Sequence, residues 1–346
     1  MNQKENDIKK ITEKINKTRT NKFKRNVEQE KLLKIINKNL LPVENELTKQ
    51  FNFPSLPVIF IVGVPRSGTT LISQLIADHG DFSYISNFLA KFWETPYLGS
   101  IIERATEIRN NRVSYDSNYG NTFHLSEPHE FTYFWEKWFD KGQEIQFLKP
   151  KILNKINKKK LKSEVAAIED GCASGPVIFK NPYWTNLQIN FLKEVFPNHI
   201  FLNVKRNPFF VCQSIVNARK KVRGSKDKWW SLKPKEYFDF KDLSWEKQVV
   251  RQVYYTKKHI EKSLSTLNDE RILNINYEDL CANPSYYLEL IIKKTNQFGA
   301  RIDNKVSQLD LDFNSRNEKK LSDDEYKILL NEYNKFFNSE KEGLNE

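Results

Sequence analysis

One apolar segment that runs into a glycine-bracketed loop constrains the fold of this chain more than any other feature. Residues 58–62 are apolar and mostly β-branched, which predicts a strand buried on both faces. Gly63 and Gly68 bracket the loop that follows. Apolar residues at helical spacing come next, at Leu71, Ile72, Leu75 and Ile76. A strand, a glycine loop and a helix in this order point backbone N–H groups at an anion. The segment therefore predicts a phosphate-type site in an α/β fold.

The loop departs from the nucleoside-triphosphate pattern G-x-x-x-x-G-K-[ST] at one position. Thr69 stands where that pattern has a lysine, whose ammonium reaches the β- and γ-phosphates. Arg66 instead brings a forked, permanently charged guanidinium into the loop. The loop is therefore expected to bind an anion other than a triphosphate.

Three separated segments resemble one enzyme family. The Pro-Arg-Ser-Gly-Thr-Thr sequence at residues 65–70 resembles the 5′-phosphosulfate loop of sulfotransferases that use 3′-phosphoadenosine 5′-phosphosulfate (PAPS). Arg206, which follows an apolar run at 200–204, and Ser214 on the next predicted helix resemble the family's 3′-phosphate element. The Tyr-Glu-Asp-Leu sequence at 277–280 resembles a mainly structural segment of the family. The resemblance spans about residues 57–300.

The resemblance implies a donor site made of two parts. The part for the 5′-phosphosulfate consists of Arg66, Ser67, Gly68, Thr69 and Thr70. The part for the 3′-phosphate consists of Arg206 and Ser214. A guanidinium and a hydroxyl at the carboxyl end of a strand suit a phosphomonoester, and open α/β sheets bind ligands at this edge. PAPS is therefore the expected co-substrate.

Sulfuryl transfer also needs a cation at the leaving oxygen and a base at the acceptor hydroxyl. Lys180 follows an apolar run at 177–179 and resembles the lysine of a Lys-x-Pro segment in tyrosylprotein and bacterial carbohydrate sulfotransferases, which implies the leaving-group role. Related enzymes often carry a glutamate that acts as the general base at the position of residues 84–88. These residues contain no acid here. No metal is expected, because fixed cations and loop N–H groups neutralise the leaving group.

The Glu-Pro-His-Glu sequence at residues 127–130 supplies the candidates for the base. Aromatic residues beside it would provide dry walls that raise the pKa of a carboxyl group. We rank Glu127 and His129 first, then Glu130, and then Glu94. The alternative for each of them is an exposed helix start whose acids complement the helix dipole.

Short apolar runs at 177–179, 200–204 and 272–275 predict three further strands separated by helical patterns. Thr185 predicts the N-cap of a helix that Pro197 ends, and Pro208 predicts the first position of the next helix. This alternation predicts an α/β fold with a mostly parallel central sheet and helices on both faces. With the glycine loop, it indicates a three-layer sandwich of the P-loop NTPase-like type.

The chain divides into an extension and a main domain. Residues 1–50 carry apolar residues at near-helical intervals, which predicts one or two amphipathic helices that include Ile8 and Ile11. Pro54 and Pro57 then lead into the first strand. Residues 51–346 form the predicted sulfotransferase domain. A helical insertion at about residues 91–162, which is rich in aromatics, is expected to cover the site.

Composition excludes several classes of protein. With 39% apolar and 13% aromatic residues among 346, the chain is neither disordered nor fibrous. No apolar run reaches the length of a membrane span and the N-terminus lacks a signal-peptide pattern, so we expect a cytoplasmic protein. Cys172, Cys212 and Cys281 are far apart, which predicts packed thiols rather than a disulfide or a metal site.

Charge indicates the class of acceptor. The net charge is +12, and the basic segment 219–235 contains Trp229 and Trp230. Aromatic faces beside cations suit sugar rings that carry acidic groups. We therefore predict a sulfotransferase that moves the sulfuryl group of PAPS to a carbohydrate or polysaccharide hydroxyl, with no nucleic-acid partner. A kinase or nucleotide hydrolase is one alternative, although the loop lysine is missing. A polyanion-binding protein without enzymatic activity is the other.

Overall fold

A five-stranded parallel sheet forms the centre of the protein in the computed structural model, which describes residues 12–13, 15–79, 81–110, 113–140, 142, 144–304, 306 and 313–342. Its strands are β1 (Val58–Val62), β2 (Ser83–Tyr84), β3 (Val177–Lys180), β4 (His199–Lys205) and β5 (Ile272–Asn276). They lie in the order β2-β3-β1-β4-β5, and each neighbouring pair is parallel. The loops after β1, β3 and β4 therefore emerge side by side at one edge of the sheet.

Helices connect the strands and cover the sheet. They are α1 (Val27–Leu47), α2 (Thr69–His79), α3 (Pro96–Ala105), α4 (Thr132–Phe139), α5 (Pro150–Leu153), α6 (Lys158–Cys172), α7 (Ile189–Val195), α8 (Pro208–Ala218), α9 (Tyr237–Phe240), α10 (Trp245–Leu264), α11 (Tyr277–Ala282), α12 (Pro284–Gln297) and α13 (Asp323–Glu342). A π-helical turn, Arg219–Arg223, extends α8. Short 3-10 turns lie at Asn21–Phe23, Thr48–Gln50, Leu89–Phe92, Ile108–Asn110, Thr185–Leu187 and Asp269–Arg271.

Side chains of β1 enter both layers of the core, because successive residues of a strand point to opposite faces of the sheet. Phe60 packs in an aromatic-rich layer with residues of α4, α6 and α7. Ile59 and Ile61 pack on the other face with residues of α2 and α12. All residues of β1 are buried. The predicted α/β architecture, with a parallel sheet between two helical layers, is confirmed.

The strands predicted from the sequence are also confirmed. β1 has the predicted bounds, and β3, β4 and β5 extend slightly beyond the predicted runs. β2 was not predictable because its two residues are too few to show a period. Pro208 opens α8 as predicted, and the Asn207 side chain caps this helix by accepting a hydrogen bond from the N–H of Phe209.

The helix cap predicted at Thr185 is wrong. Thr185 lies in a 3-10 turn, and its hydroxyl donates to the carbonyl oxygen of Asn181 (2.7 Å) instead of accepting a bond from a helix N–H. The following helix, α7, begins only at Ile189. The turn before α7 carries Asn186.

Buried polar contacts join α1 to the rest of the protein. The Asn37 side chain donates to the carbonyl oxygen of Lys91 (2.7 Å) and accepts the N–H of Glu94 (2.9 Å). The Glu44 carboxylate accepts the N–H groups of Tyr97 (2.8 Å) and Leu98 (2.9 Å) at the start of α3, where a negative charge complements the helix dipole. The predicted helical positions Ile8 and Ile11 lie outside the described residues.

Residues 91–162 are less helical than predicted. They contain α3, α4, α5 and the start of α6, but residues 113–131 have no helix. This irregular segment reaches the carboxyl edge of the sheet. Across the described part of the chain, no helix is both long enough and apolar enough to cross a bilayer.

Candidate active site

The loop after β1, residues 63–68, is fixed at its first residue by one buried side chain. The amide of Asn186 donates to the carbonyl oxygen of Gly63 (2.7 Å) and accepts the N–H of Gly63 (3.1 Å). Asn186 is completely buried. Because both backbone groups of Gly63 are satisfied, the direction in which the chain leaves β1 is set by this contact.

Two glycines allow close approaches to the loop. A Cβ atom at Gly63 would lie 2.5 Å from the carbonyl oxygen of Val204. Gly68 has a φ of 105°, and a Cβ atom there would lie 2.5 Å from the ring of Tyr277. A side chain at either position would displace the loop. The chain enters α2 at Thr69, so the loop N–H groups lie beside the N-terminus of this helix.

The loop holds a polar group that lacks a partner. Ser67 is 1% exposed, and its hydroxyl forms no hydrogen bond with any described residue. Thr69 is buried and Thr70 is half-buried in the first turn of α2. A buried hydroxyl without a partner destabilises the fold unless a ligand or water satisfies it. Its place in the loop fits an anion ligand.

Arg66 and Ser214, which the sequence assigns to different parts of the site, are in contact. The Nε of Arg66 donates to the Ser214 hydroxyl at 3.0 Å. The Arg66 guanidinium also lies 5.2 Å from the ring centre of Tyr119. Arg66 has a φ of 79°, a conformation that non-glycine residues rarely adopt. Residues from the two predicted parts of the donor site thus lie in contact.

Arg206 extends from the end of β4 to the loop. Its guanidinium donates to the carbonyl oxygens of Arg66 (3.0 Å) and Arg316 (2.9 Å) and to the side-chain oxygen of Asn317 (2.8 Å). It also lies 4.5 Å from the ring centre of Tyr277. All of these partners are neutral. These contacts include no carboxylate, although the Glu278 carboxylate lies nearby and partly offsets the charge of Arg206. The guanidinium has further N–H groups for a ligand.

Positive charge accumulates at this edge of the sheet. Burial, together with the nearby charges of Arg206 and Arg316, lowers the pKa of Arg66 to about 10. Arg66 still carries its charge at neutral pH, so the guanidinium groups repel one another. Bound anions relieve such repulsion, and arginine clusters are typical of sites for phosphate and sulfate groups.

Lys180 and Glu130 form an ion pair at the same edge. The Nζ of Lys180 lies 2.8 Å from a Glu130 carboxylate oxygen and donates to the carbonyl oxygen of Gly120 at 3.4 Å. The Lys180 side chain is 2% exposed, whereas that of Glu130 is 30% exposed. The Asn181 amide donates to the carbonyl oxygen of Glu130 (2.8 Å), which fixes the chain just before α4. A buried cation and an accessible carboxylate thus lie at the end of β3.

Glu127 is oriented away from solvent. Its carboxylate accepts hydrogen bonds from the backbone N–H (2.7 Å) and hydroxyl (2.6 Å) of Ser114 and from the side-chain amide of Gln74 (3.0 Å). The residue is completely buried. These bonds hold the irregular segment 113–131 against α2. The geometry favours an anchoring role for Glu127 over the role of base.

The free ring nitrogen of His129, Nε2, is a hydrogen-bond donor rather than an acceptor. Its Nδ1 accepts the N–H of Phe131 at 2.8 Å, so the proton of the neutral ring is on Nε2. Burial, with smaller effects of Lys180 and Arg25, lowers the pKa of His129 to about 3. The fourth candidate, Glu94, lies at the contact with α1. Among the candidates, the geometry therefore favours Glu130, which the sequence ranks third.

The tryptophan-bearing segment 219–235 packs inward. Arg219 is completely buried, donates to Gln248 (2.8 Å) and lies 4.9 Å from the ring centre of Trp229. The Trp229 indole donates to the carbonyl oxygen of Ser231 (3.0 Å), and Trp230 packs against residues of α8 and α10. The two rings stabilise this segment. They give no support to the sequence-based idea that they stack on sugars.

Several contributors to the site were missed by sequence reasoning. They are Asn186, Tyr119, Gly120, Arg316 and Asn317, and none belongs to a motif. Only the position of Asn186, soon after a strand on the carboxyl edge, offered a signal.

The three cysteines are buried free thiols. In the described ranges, no group of three or more His, Cys, Asp or Glu residues is placed to hold a metal ion.

Comparison with known proteins relates this arrangement to one family. A model described as the sulfotransferase family matches residues 57–296. A solved sulfotransferase from Mycobacterium avium superposes with a TM-score of 0.52 at 14% identity, over 91% of this chain and 86% of that chain. A sulfotransferase from Mycobacterium tuberculosis gives 0.50 at 13% identity, over 81% and 76%. At these identities the likeness concerns the fold alone.

No curated protein matches the sequence significantly. The family match nevertheless covers more than half of the chain and contains the whole central sheet, the loop after β1, Lys180 and Arg206. On this basis the protein belongs to the sulfotransferase family.

Proposed function

We propose that the protein transfers a sulfuryl group from PAPS to a hydroxyl of an acceptor, as a carbohydrate sulfotransferase. The main support is the group of arginines around the lysine-free loop. Arg66 and Arg206 donate to neutral partners, so their charges remain available to a nucleotide with anionic groups at both its 3′ and 5′ positions. The Ser67 hydroxyl, which has no hydrogen-bond partner among the described residues, lies in the same loop.

The donor fits this surface in two parts. Arg66, Ser67, Gly68, Thr69 and Thr70 would hold the 5′-phosphosulfate through loop N–H groups, hydroxyls and one guanidinium. Arg206 and Ser214 would hold the 3′-phosphate. Because the Arg66 side chain donates to Ser214 and the Arg66 carbonyl oxygen accepts a hydrogen bond from Arg206, the two parts are mechanically linked. Binding at one part is therefore expected to order the other.

The transfer step assigns one role each to Lys180 and Glu130. PAPS supplies a sulfuryl group whose bond to the bridging phosphate oxygen breaks as the acceptor oxygen bonds to sulfur. The Lys180 ammonium, buried at the end of β3, donates to the leaving oxygen as negative charge grows there. The Glu130 carboxylate takes the proton of the acceptor hydroxyl. Glu127 and His129 support this arrangement by holding segment 113–131 and the start of α4.

A carbohydrate or polysaccharide acceptor remains our proposal for the second substrate. The support is now electrostatic, because Trp229 and Trp230 are used for packing. The net charge of +12 and the lysines of segment 219–235 favour an acceptor with acidic groups.

Nucleotide binding provides the first test. Adenosine 3′,5′-bisphosphate, without Mg²⁺, is expected to raise the melting temperature by several degrees, because saturation to about 100 times Kd stabilises the native state by about 2.7 kcal/mol. ATP at the same concentration is expected to do little, since the loop lacks the lysine that binds its terminal phosphates. Differential scanning fluorimetry measures both shifts. A larger shift with ATP and Mg²⁺ would instead indicate a kinase or nucleotide hydrolase.

Arg206 provides a test of the 3′-phosphate contact. Arg206→Ala is expected to weaken adenosine 3′,5′-bisphosphate about 10–100-fold, because a charge-assisted bidentate contact is lost. Adenosine 5′-phosphosulfate, which lacks the 3′-phosphate, should lose no more than a few-fold. Calorimetric titration measures both affinities, and Arg104→Ala, at an exposed position on α3, serves as the control. Equal losses for the two nucleotides would remove the proposed contact.

A further inference from the structure

A group of three arginines near Tyr133 has no part in the proposed transfer. Arg19 and Arg25 lie in the N-terminal segment, residues 18–25, and Arg223 ends the π-helical turn. Arg109 and Arg251 pair with carboxylates elsewhere, but Arg19, Arg25 and Arg223 form no ion pair with any described residue. We define these three residues as the arginine triad.

The contacts of the triad are made with neutral groups. Arg25 donates to the Tyr133 hydroxyl and lies 4.7 Å from the centre of that ring. Arg19 donates to the carbonyl oxygen of Phe23 at 3.2 Å. Arg223 donates to the carbonyl oxygen (3.3 Å) and hydroxyl of Thr18. The Nε atoms of Arg19 and Arg223 are buried and have no partner among the described residues.

The N-terminal segment brings the triad to the active site. On one side, the N–H of Thr20 donates to the carbonyl oxygen of Val222 (2.9 Å), which fixes the segment to the π-helical turn. On the other side, the ring centres of Phe23 and Tyr119 are 6.2 Å apart, and Tyr119 lies against Arg66. Tyr133, the partner of Arg25, lies in the first turn of α4, three residues after Glu130. The segment thus lies between the π-helical turn, Tyr119 beside Arg66, and the start of α4.

The acids near the triad form no direct ion pair with its guanidinium groups among the described residues. Burial, with repulsion from Arg25 and Arg223, lowers the pKa of Arg19 to about 10, so Arg19 still carries its charge at neutral pH. The acids nearby are Glu30, Glu136 and Asp140. The Glu30 carboxylate accepts the Tyr133 hydroxyl, and burial raises the pKa of Glu136 to about 7, so Glu136 is partly neutral under physiological conditions. Gathering like charges in a half-buried site is unfavourable unless an anion joins them.

We propose that the arginine triad binds an oxyanion group of the acceptor, a carboxylate or a sulfate ester on an acidic saccharide. The proposal rests on the carbohydrate sulfotransferase function proposed above and specifies its acceptor. Guanidinium groups match planar and tetrahedral oxyanions through paired N–H donors, so they select an acidic sugar and fix its orientation. The hydroxyl to be modified then approaches Glu130, while the charged group stays at the N-terminal segment.

The test compares saccharides that differ only in charge. Calorimetric titrations use protein saturated with adenosine 3′,5′-bisphosphate and two pairs of ligands. The first pair is oligogalacturonate and its methyl ester, and the second is a sulfated maltooligosaccharide and its neutral parent. At least one acidic member is expected to bind about tenfold or more tightly than its neutral counterpart. The pair that shows this preference identifies the carboxylate or the sulfate ester as the group bound.

Substitutions then identify the residues that cause the preference for acidic over neutral saccharides. Arg25→Gln and Arg223→Gln are each expected to reduce it about tenfold, and Arg25→Lys should retain part of it. Lys24→Gln, at an exposed position of the same segment, should leave the preference unchanged. The affinity for adenosine 3′,5′-bisphosphate should be unchanged in every variant, which reports an intact fold and donor site. A purely structural role of these arginines would not alter the ratio between acidic and neutral ligands.

The two proposals fail in different ways. Absence of bisphosphate binding by the unmodified protein would contradict the proposed function itself. Bisphosphate binding without any preference for the acidic saccharides would overturn the triad proposal alone. A preference that survives both Arg25→Gln and Arg223→Gln would overturn it as well, since the selecting charges would then lie elsewhere.

Discussion

Glu130→Gln is expected to lower kcat by about 10²–10⁴-fold, because the amide cannot accept the proton of the acceptor hydroxyl. Glutamine has nearly the same volume as glutamate, and the backbone carbonyl of Glu130 keeps its bond to Asn181. The substitution also removes the negative charge beside Lys180, which lies 2.8 Å away and is almost completely buried. We therefore expect the affinity for the anionic nucleotide to stay equal or to increase. Transfer of labelled sulfate from PAPS to an acidic oligosaccharide gives kcat, and titration gives the affinity.

A matched control is available on the surface. Glu194 also pairs with a lysine, Lys158, but its side chain is 62% exposed and lies away from the loop. Glu194→Gln is expected to leave both kcat and nucleotide affinity within a few-fold of the unmodified protein. If Glu130→Gln retained full turnover, the proton would have to leave through another group. Glu127→Gln tests the anchoring role of Glu127. Weaker bonds to Ser114 and Gln74 should lower the melting temperature in the absence of any substrate.

The order of the base candidates shows what sequence can and cannot determine about this site. Glu127, His129 and Glu130 are nearly adjacent in the chain, and composition alone gives no reason to prefer one of them. Their roles depend on partners that are distant in sequence. Gln74 satisfies Glu127, whereas Lys180 faces Glu130. These partners are brought together by the sheet, so only the folded structure distinguishes an anchored carboxylate from an accessible one.

Local features were predictable because their causes are local. The strand at 58–62 follows from a continuous apolar run, and the bend after it follows from Gly63 and Gly68. Pro208 marks the start of α8 because its fixed φ suits the first helical position. The position of Arg206 near a strand end was likewise predictable from the sequence. Its contacts with Arg316 and Asn317 were not, since they join parts of the chain more than 100 residues apart.

The contact between Arg66 and Ser214 changes the expected behaviour of the donor site. Sequence motifs assign these residues to separate phosphate groups, whereas the structure joins them by a 3.0 Å hydrogen bond. Arg206 further binds the carbonyl oxygen of Arg66. A substitution in one part is therefore expected to weaken the other by up to a few-fold, less than its direct effect, so single-residue losses at this site will not add.

Lys180→Ala is the second substitution with a large expected effect. We expect kcat to fall about 10²–10³-fold, the range seen when one donor to a developing negative charge is removed. The nucleotide product should also bind more weakly, because a buried cation is lost and Glu130 remains as an unpaired negative charge in the site. This direction is opposite to that expected for Glu130→Gln. The control is Lys158→Ala, which breaks the comparable but exposed pair with Glu194.

The double variant Glu130→Gln/Lys180→Ala distinguishes the effect of an unpaired charge from the loss of chemistry. The double variant has neither the carboxylate nor the ammonium, so no charge of this pair is left without its partner. Nucleotide affinity should therefore recover relative to Lys180→Ala alone. Turnover should not recover, because the proton acceptor and the leaving-group donor are both absent. Titration and sulfate transfer measured on the four proteins separate these effects. Recovery of turnover in the double variant would mean that the ion pair serves only to hold β3 and α4 together, and the chemistry would then have to be assigned to other residues.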